Sequence, residues 1–250
     1  MQLSLVAYYG EKNQAFAHLI QTVQAELQRR LGKAFAPYSI EQIHATIVGL
    51  EGVREGEALW NRNFLQFRGE RRAMDLSKLL HWLDATELLP FDVQLGGFVP
   101  DRPYPFTSRD RHPFLRSFDM SNAGEHGAIA VGAGWSRRGE AYTHTLDALR
   151  KAAQTCNLLH KYHRTPTDID NDFYFALGWI DRTQTGDRNL QTACDAVRQV
   201  FANHSILLPV NRNMLSLALY EDPRFPPEST ESIPLEMAEA QLERLICCYS

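Results

Sequence analysis

The chain lacks an excess of positive charge: 26 lysines and arginines stand against 30 acids over 250 residues, a formal net charge of -4. That balance argues against the broad basic footprint that grips duplex DNA, while leaving room for a local basic cleft, so a small or single-stranded ligand fits better. Cysteine is scarce. Cys156, Cys194 and the adjacent Cys247 and Cys248 show neither metal-ligand spacing nor the framework of a disulfide-rich secreted domain, and they read as free thiols in a reducing compartment. No segment has the apolar length to span a bilayer, and the short apolar run before Gly10 lacks the basic flank of a signal peptide. A cytoplasmic protein with no membrane partner is expected. Three catalytic signatures are also missing. GAIAVGAGW (127–135) is followed by no Lys-Ser or Lys-Thr and so is not a phosphate loop, it lacks the dinucleotide spacing G-x-G-x-x-G, and no G-x-S-x-G nucleophile motif occurs. No cofactor is implied.

What is present is ordinary for a soluble globular protein: 44% hydrophobic, 22% charged, and enough chain to bury a sizeable core. Leu3 to Tyr9 reads as a buried strand. From Asn13 to Leu31 the residues Phe16, Leu19, Ile20, Val23, Leu27 and Leu31 recur at helical spacing, with Gly32 placed for a left-handed cap. A strand around His44 follows Pro37. The polar stretch Glu51 to Arg72 predicts an irregular connection, Asp75 caps a short helix through Leu83, and Phe91, Val93 and Leu95 alternate as a half-buried strand. Gly127 to Trp135 predicts a strand, Thr143 to Lys161 a helix, and Phe173 to Ile180 (FYFALGWI) a strongly β-prone strand. A helix over Leu190 to Phe201, strands near Ile206 to Val210 and Met214 to Tyr220, the proline-rich tether EDPRFPPEST and a short C-terminal helix complete the chain.

Within this framework QIHATIVGL (42–50) stands out. Strand side chains alternate between faces, so His44, Thr46, Val48 and Leu50 share one face and Ile43, Ala45 and Ile47 the other. An imidazole and a hydroxyl about 7 Å apart on one strand face suit a phosphate: the first moves a proton near neutral pH, and the second donates to a phosphoryl oxygen. IHATIVGL resembles the H-x-T-hydrophobic signature of the two-histidine (2H) phosphoesterases, which include RNA 2′,3′-cyclic phosphodiesterases and carry the signature twice.

The order strand, amphipathic helix, strand recurs from Ala128 to Ile180. Laying HATIVG over FYFALG sets His44 on Phe173 and Thr46 on Phe175, with the glycines coinciding. Met214-Leu215-Ser216-Leu217 has a similar rhythm with Met in the His place. The resemblance implies an α+β bilobal fold: two pseudo-symmetric antiparallel-sheet lobes, helices outside, and a central cleft. Lobe one would span roughly 1–100, a connecting loop 100–126 and lobe two 126–222, all one domain, with the tether and C-terminal helix over 223–250. It also implies metal-independent general acid and base chemistry on a cyclic or 2′-5′ phosphodiester of a nucleotide or RNA end, with His44 and Thr46 catalytic.

The second His-x-[ST] pair is not there, and paired proton transfer needs two titratable groups. His112, His160 and His163 are candidate donors of the missing group. A catalytically silent nucleotide or RNA-end binder, with Phe173 and Phe175 stacking on a base, is the alternative, and a protein-interaction module whose cleft those two rings fill is a third. The irregular, aromatic-rich stretch from Pro100 to Gly127 carries Arg109, Arg111, His112 and Arg116 and reads equally as a surface excursion or as an anion-binding flap. His160 and His163 with Asp168, Asp170 and Asp172 have the residue types of a metal site but no recognised spacing. They read instead as a helix end followed by an acidic turn, and no metal is expected.

Overall fold

A computed structural model describes residues 1–249. In chain order, β1 (Gln2–Ala7) leads to α1 (Gln14–Leu31), then β2 (Phe35–Pro37), β3 (Ala45–Gly49), β4 (Gly52–Glu55) and β5 (Ala58–Asn61). There follow α2 (Arg62–Arg68), α3 (Leu76–Ala85), β6 (Phe91–Gly96), α4 (Pro113–Arg116), β7 (Phe118–Asn122), β8 (Gly127–Arg138) and β9 (Ala141–Tyr142). The remainder is α5 (Thr145–Ala152), β10 (Asp172–Asp181), α6 (Asp187–Asn203), β11 (Ser205–Val210), β12 (Leu215–Tyr220), β13 (Thr230–Pro234), α7 (Leu235–Ala238) and α8 (Leu242–Cys247).

The stripe seen in the sequence makes α1. Asn13 caps it by accepting from the Phe16 N–H at 2.8 Å, Phe16, Leu19, Ile20, Val23, Leu27 and Leu31 are buried, and Gly32 ends it at φ +54°. Burying each of those large side chains contributes about 1.5–3 kcal/mol, which is why the face rather than propensity holds the helix. α1 and α6 pack side by side on one face of the sheet, over Leu3, Leu5, Ala45, Phe173, Phe175 and Leu177.

The α+β architecture is the one the resemblance implied. Its main sheet is antiparallel and runs β11-β6-β8-β10-β3-β1-β12-β13, with β7 and β9 also on β8 and β2 on β10. Two halves meet in its middle, where β10 and β3 share a single residue pair, Phe175 with Ala45. The halves interlock: β6 lies beside β8, while β12 returns to lie beside β1, so each half draws on both the early and the late part of the chain.

Several local expectations are revised. The stretch 51–72 is not irregular but forms the β4–β5 hairpin and α2. The helix expected to reach Lys161 stops far earlier, through a 3₁₀ turn to Cys156, because Asn157 takes a left-handed conformation at φ +59°. The stretch 100–126 contains α4 and β7.

Candidate functional site

His44 sits immediately before β3. Its Nδ1 lies 2.8 Å from the Gln42 carbonyl, and since a carbonyl only accepts, Nδ1 carries the proton and Nε2 is left with its lone pair. The ring is half-buried between Phe225 (centroids 4.2 Å apart) and Tyr9 (5.8 Å), and this burial lowers its pKa to about 4. It is a neutral imidazole at pH 7, with Nε2 free of a proton. Thr46 is half-buried on the same strand, and among the described residues its hydroxyl has no hydrogen-bond partner.

β3 is held in an unusual way. It pairs with β1 through a bulge: Val48 faces Leu5 and Thr46 faces Val6, leaving Ile47 without a partner. The carbonyls of Thr46 and Ile47 turn instead to the buried guanidinium of Arg150 on α5, which donates to each at 2.9 Å. The same guanidinium donates to the Asp170 carbonyl and carboxylate, both at 2.9 Å, and to the Asp172 carbonyl at 3.2 Å. A single side chain thus fills the wedge where β3 and β10 diverge. His160 extends it by accepting from the Gly49 N–H at 3.4 Å and placing Nε2 3.3 Å from Asp170. Burial, reinforced by Arg150, lowers the His160 pKa to about 3. Burial alone would raise the Asp170 carboxyl, but Arg150, His160 and Arg109 overcome it and hold it well below the usual carboxylate range.

The Phe175–Ala45 pair fixes which faces of the two strands correspond. Both residues of the pair point into the core, so Tyr174 and Ala176 lie on the opposite face of β10, as His44 and Thr46 lie on the opposite face of the β3 segment. Tyr174 and Ala176 are half-buried, whereas Phe173 and Phe175 are fully buried, with Tyr8 against Phe173 and Phe16 against Phe175. The expectation that Phe173 and Phe175 stack on a base or fill the cleft is therefore corrected. Laying HATIVG over FYFALG sets the core face of β10 on the outer face of the His44 strand, one residue out of step, and a one-residue slip in a strand exchanges its faces. Tyr174 is the residue the sequence reading missed. Alternation marks it, because Tyr174 and Ala176 interrupt an otherwise apolar, large-residue run at i and i+2.

The arginines of the 109–116 stretch gather around Tyr174. Arg116 is buried and donates to the Tyr174 hydroxyl oxygen, to Asp172 at 3.1 Å and to Asp119 at 3.1 Å. The Tyr174 O–H remains free to donate to another acceptor. Asp172 also accepts from Ser108 (2.6 Å) and from the Trp135 indole (2.7 Å). Arg109 lies against the Tyr174 ring (5.2 Å) and the Tyr162 ring (4.4 Å), within 3.4–3.6 Å of Asp170 and Asp172. Arg109, Arg111, Arg116 and Arg150 thus meet three carboxylates, Asp119, Asp170 and Asp172, in one ion-pair network around Tyr174.

Other expected site residues stand elsewhere. Arg111 pairs with Asp119 at 2.9 Å. His112 is spent on structure: Nδ1 accepts from the Phe114 N–H at the start of α4, and Nε2 donates to the Arg102 carbonyl. It is no proton donor to this face. His160 and His163 are buried beyond the end of α5, with His163 2.8 Å from Asp147, so neither supplies the missing group. Among the described residues no cluster of three or more histidine, cysteine or acidic side chains is arranged to hold a metal ion. Two cavities, of about 540 and 480 Å³, lie beside Asp170 to Asp172 and beside Arg198, and neither is lined by His44 or Thr46. Among the described residues no helix is long and apolar enough to cross a membrane.

In sequence, no family model and no curated protein matches the chain. In fold it is similar to TT0787 of Thermus thermophilus, with a TM-score of 0.45, 14% identity, and 94% of this chain and 98% of that one covered. It is also similar to Usb1 of Kluyveromyces marxianus, with a TM-score of 0.42, 9% identity, and 93% and 97% covered.

Proposed function

We propose that the chain is a divergent phosphoesterase that works on a cyclic or 2′-5′ phosphodiester of a nucleotide or RNA end at the face shared by His44, Thr46 and Tyr174. The observation that carries this reading is His44: an imidazole whose Nδ1 is locked by the Gln42 carbonyl and whose Nε2 stays neutral and unprotonated at pH 7. Nε2 takes the proton of an attacking water or hydroxyl as its oxygen bonds to phosphorus, the bond from phosphorus to the leaving ribose oxygen breaks, and the imidazolium gives that proton to the departing oxygen, while the Thr46 hydroxyl donates to a phosphoryl oxygen. From β10, the Tyr174 O–H donates in the same way, its oxygen accepting from Arg116. Tyr174 thereby stands in for part of what a second histidine would do.

A second reading has its own observation. Beside Tyr174 on the outer face of β10 stands Ala176, which neither transfers a proton nor binds an oxyanion, and this favours a nucleotide or RNA-end binder without turnover. Assaying hydrolysis of 2′,3′-cyclic nucleotides by the wild type, His44→Ala and Tyr174→Phe, alongside calorimetric binding, separates the two. The enzyme reading expects turnover that falls at least about 100-fold in His44→Ala, the scale of general-base catalysis, with affinity within a few-fold of wild type. Binding without turnover in the wild type establishes the binder, and neither binding nor turnover removes both.

A further inference from the structure

Charge and aromatic rings are distributed unevenly over the surface. Residues 54–72 and 159–164 carry seven lysines and arginines against three glutamates, in a chain whose net charge is -4. These two stretches are separate in sequence and adjacent in space. Arg68 at the end of α2 donates to the His163 carbonyl at 2.9 Å and to the Arg164 carbonyl at 3.3 Å, and Arg164 in turn lies 5.0 Å from the Phe67 ring. The same cation-over-ring arrangement continues in both directions. Arg71, paired with Glu55 at 2.8 Å, lies 5.9 Å from the half-buried Trp60 ring at the far end, and Lys161 lies 4.9 Å from Tyr162 at the near end. Tyr162 is the ring already touched by Arg109, and its centroid is 6.3 Å from that of Tyr174.

A file of half-exposed rings, each with a cation beside it, therefore runs from Phe67 through Tyr162 to Tyr174, with Trp60 on the strand that leads into α2. We propose that this file is a binding track for single-stranded nucleic acid, in which the cations meet successive phosphates and the rings of Trp60, Phe67 and Tyr162 meet bases. Every base offers a π face, so stacking of this kind takes any sequence, and a duplex, whose base faces are already occupied, is excluded. The overall negative charge keeps attraction local to the track, so polyanions are not gathered elsewhere on the surface. The inference rests on the proposed function only for where the strand end arrives, at Tyr174.

The test is fluorescence anisotropy with labelled oligouridine and oligothymidine of about 15 nucleotides, a length that covers single-domain site sizes, and with an RNA duplex of equal length. Arg71 and Lys161 are exposed, so charge reversal in Arg71→Glu/Lys161→Glu leaves the fold intact. Lys33→Glu/Arg188→Glu, at exposed positions off the track, changes the net charge equally. The track expects at least one single strand to bind, with the tighter of the two identifying the sugar it prefers. It also expects the first pair to lower affinity about tenfold or more and the salt slope by about 1.4, at roughly 0.7 per phosphate contact, with the second pair near wild type. Equal losses in both pairs, or a duplex bound as tightly as the single strands, overturn it. His44→Ala decides independently: a track-dependent affinity that persists in this variant upholds the track even where no diester is turned over.

Discussion

At the residue scale, His44 shows how a strand pattern carries chemistry. The shared face of His44 and Thr46 followed from alternation alone, but what covers the imidazole did not. Phe225, from the proline-rich stretch expected to be only a tether, packs on the ring; its backbone takes φ +57°, its carbonyl accepts from the Tyr9 hydroxyl, and the neighbouring Arg224 carbonyl accepts from Gln42. No periodicity links residue 225 to residue 44, so contacts of this kind are invisible in a single sequence. The packing has a measurable consequence. Burial disfavours the imidazolium and lowers the pKa to about 4, so exposing the ring raises it. In Phe225→Ala the His44 Hε1 resonance is expected to titrate nearer the unperturbed value of about 6.5. If proton NMR finds the same low midpoint in the wild type and the variant, the cover contributes nothing to the shift.

At the element scale, legibility depended on whether independent signals agreed. α1 and α3 were legible because an Asn or Asp cap and an apolar stripe coincide, and in α1 a terminal glycine agrees as well. The β4–β5 hairpin and α2 were missed because four-residue strands and a seven-residue helix are too short for periodicity. The length of α5 was overread for the opposite reason. Leu158 and Leu159 continue the apolar rhythm past Asn157, yet they are buried as loop residues, and apolar spacing cannot tell the two apart. The position of β3 against β10 was equally unreadable, because it hangs on Arg150, a charged residue in an amphipathic pattern that places it outside. Replacing Arg150 with Met leaves Asp170 buried without its main counter-charge and strips the Thr46, Ile47 and Asp172 carbonyls of their donor. A loss of about 3–5 kcal/mol is expected from urea unfolding, with Arg150→Lys less damaging because it keeps the charge and some of the donors. A loss below about 1 kcal/mol in Arg150→Met would show that the wedge holds nothing.

At the scale of the whole molecule, the α+β class with interlocked lobes was what the family resemblance implied, whereas the partner of each strand was not legible. The β1–β12 pairing joins residues 2–7 to residues 215–220, and nothing local in either strand specifies its partner. The polar wedge of Arg150, Asp170 and His160 is buried, and together with His44 it makes the fold acid-sensitive in a definite direction. His44 and His160 are held neutral at pKa values of about 4 and 3, against about 6.5 unfolded. Between pH 6.5 and those values the unfolded chain takes up protons that the folded chain refuses, so stability falls as pH falls. Below that window the carboxylates act with the same sign. Burial alone would raise the Asp147 carboxyl, but His163, Lys151 and the Asp170 N–H bring it down to about 2, and Asp170 is also held low, so their stabilisation is lost as pH drops from about 3.8 through those values. The urea midpoint is therefore expected to decline steadily from pH 7 to pH 4, and less steeply in His160→Gln, which has no proton to gain on unfolding. Because each unit of pKa separation is worth about 1.4 kcal/mol, one histidine suffices to make that difference in slope visible. A variant that declines as steeply as the wild type would place the acid-labile group outside the wedge.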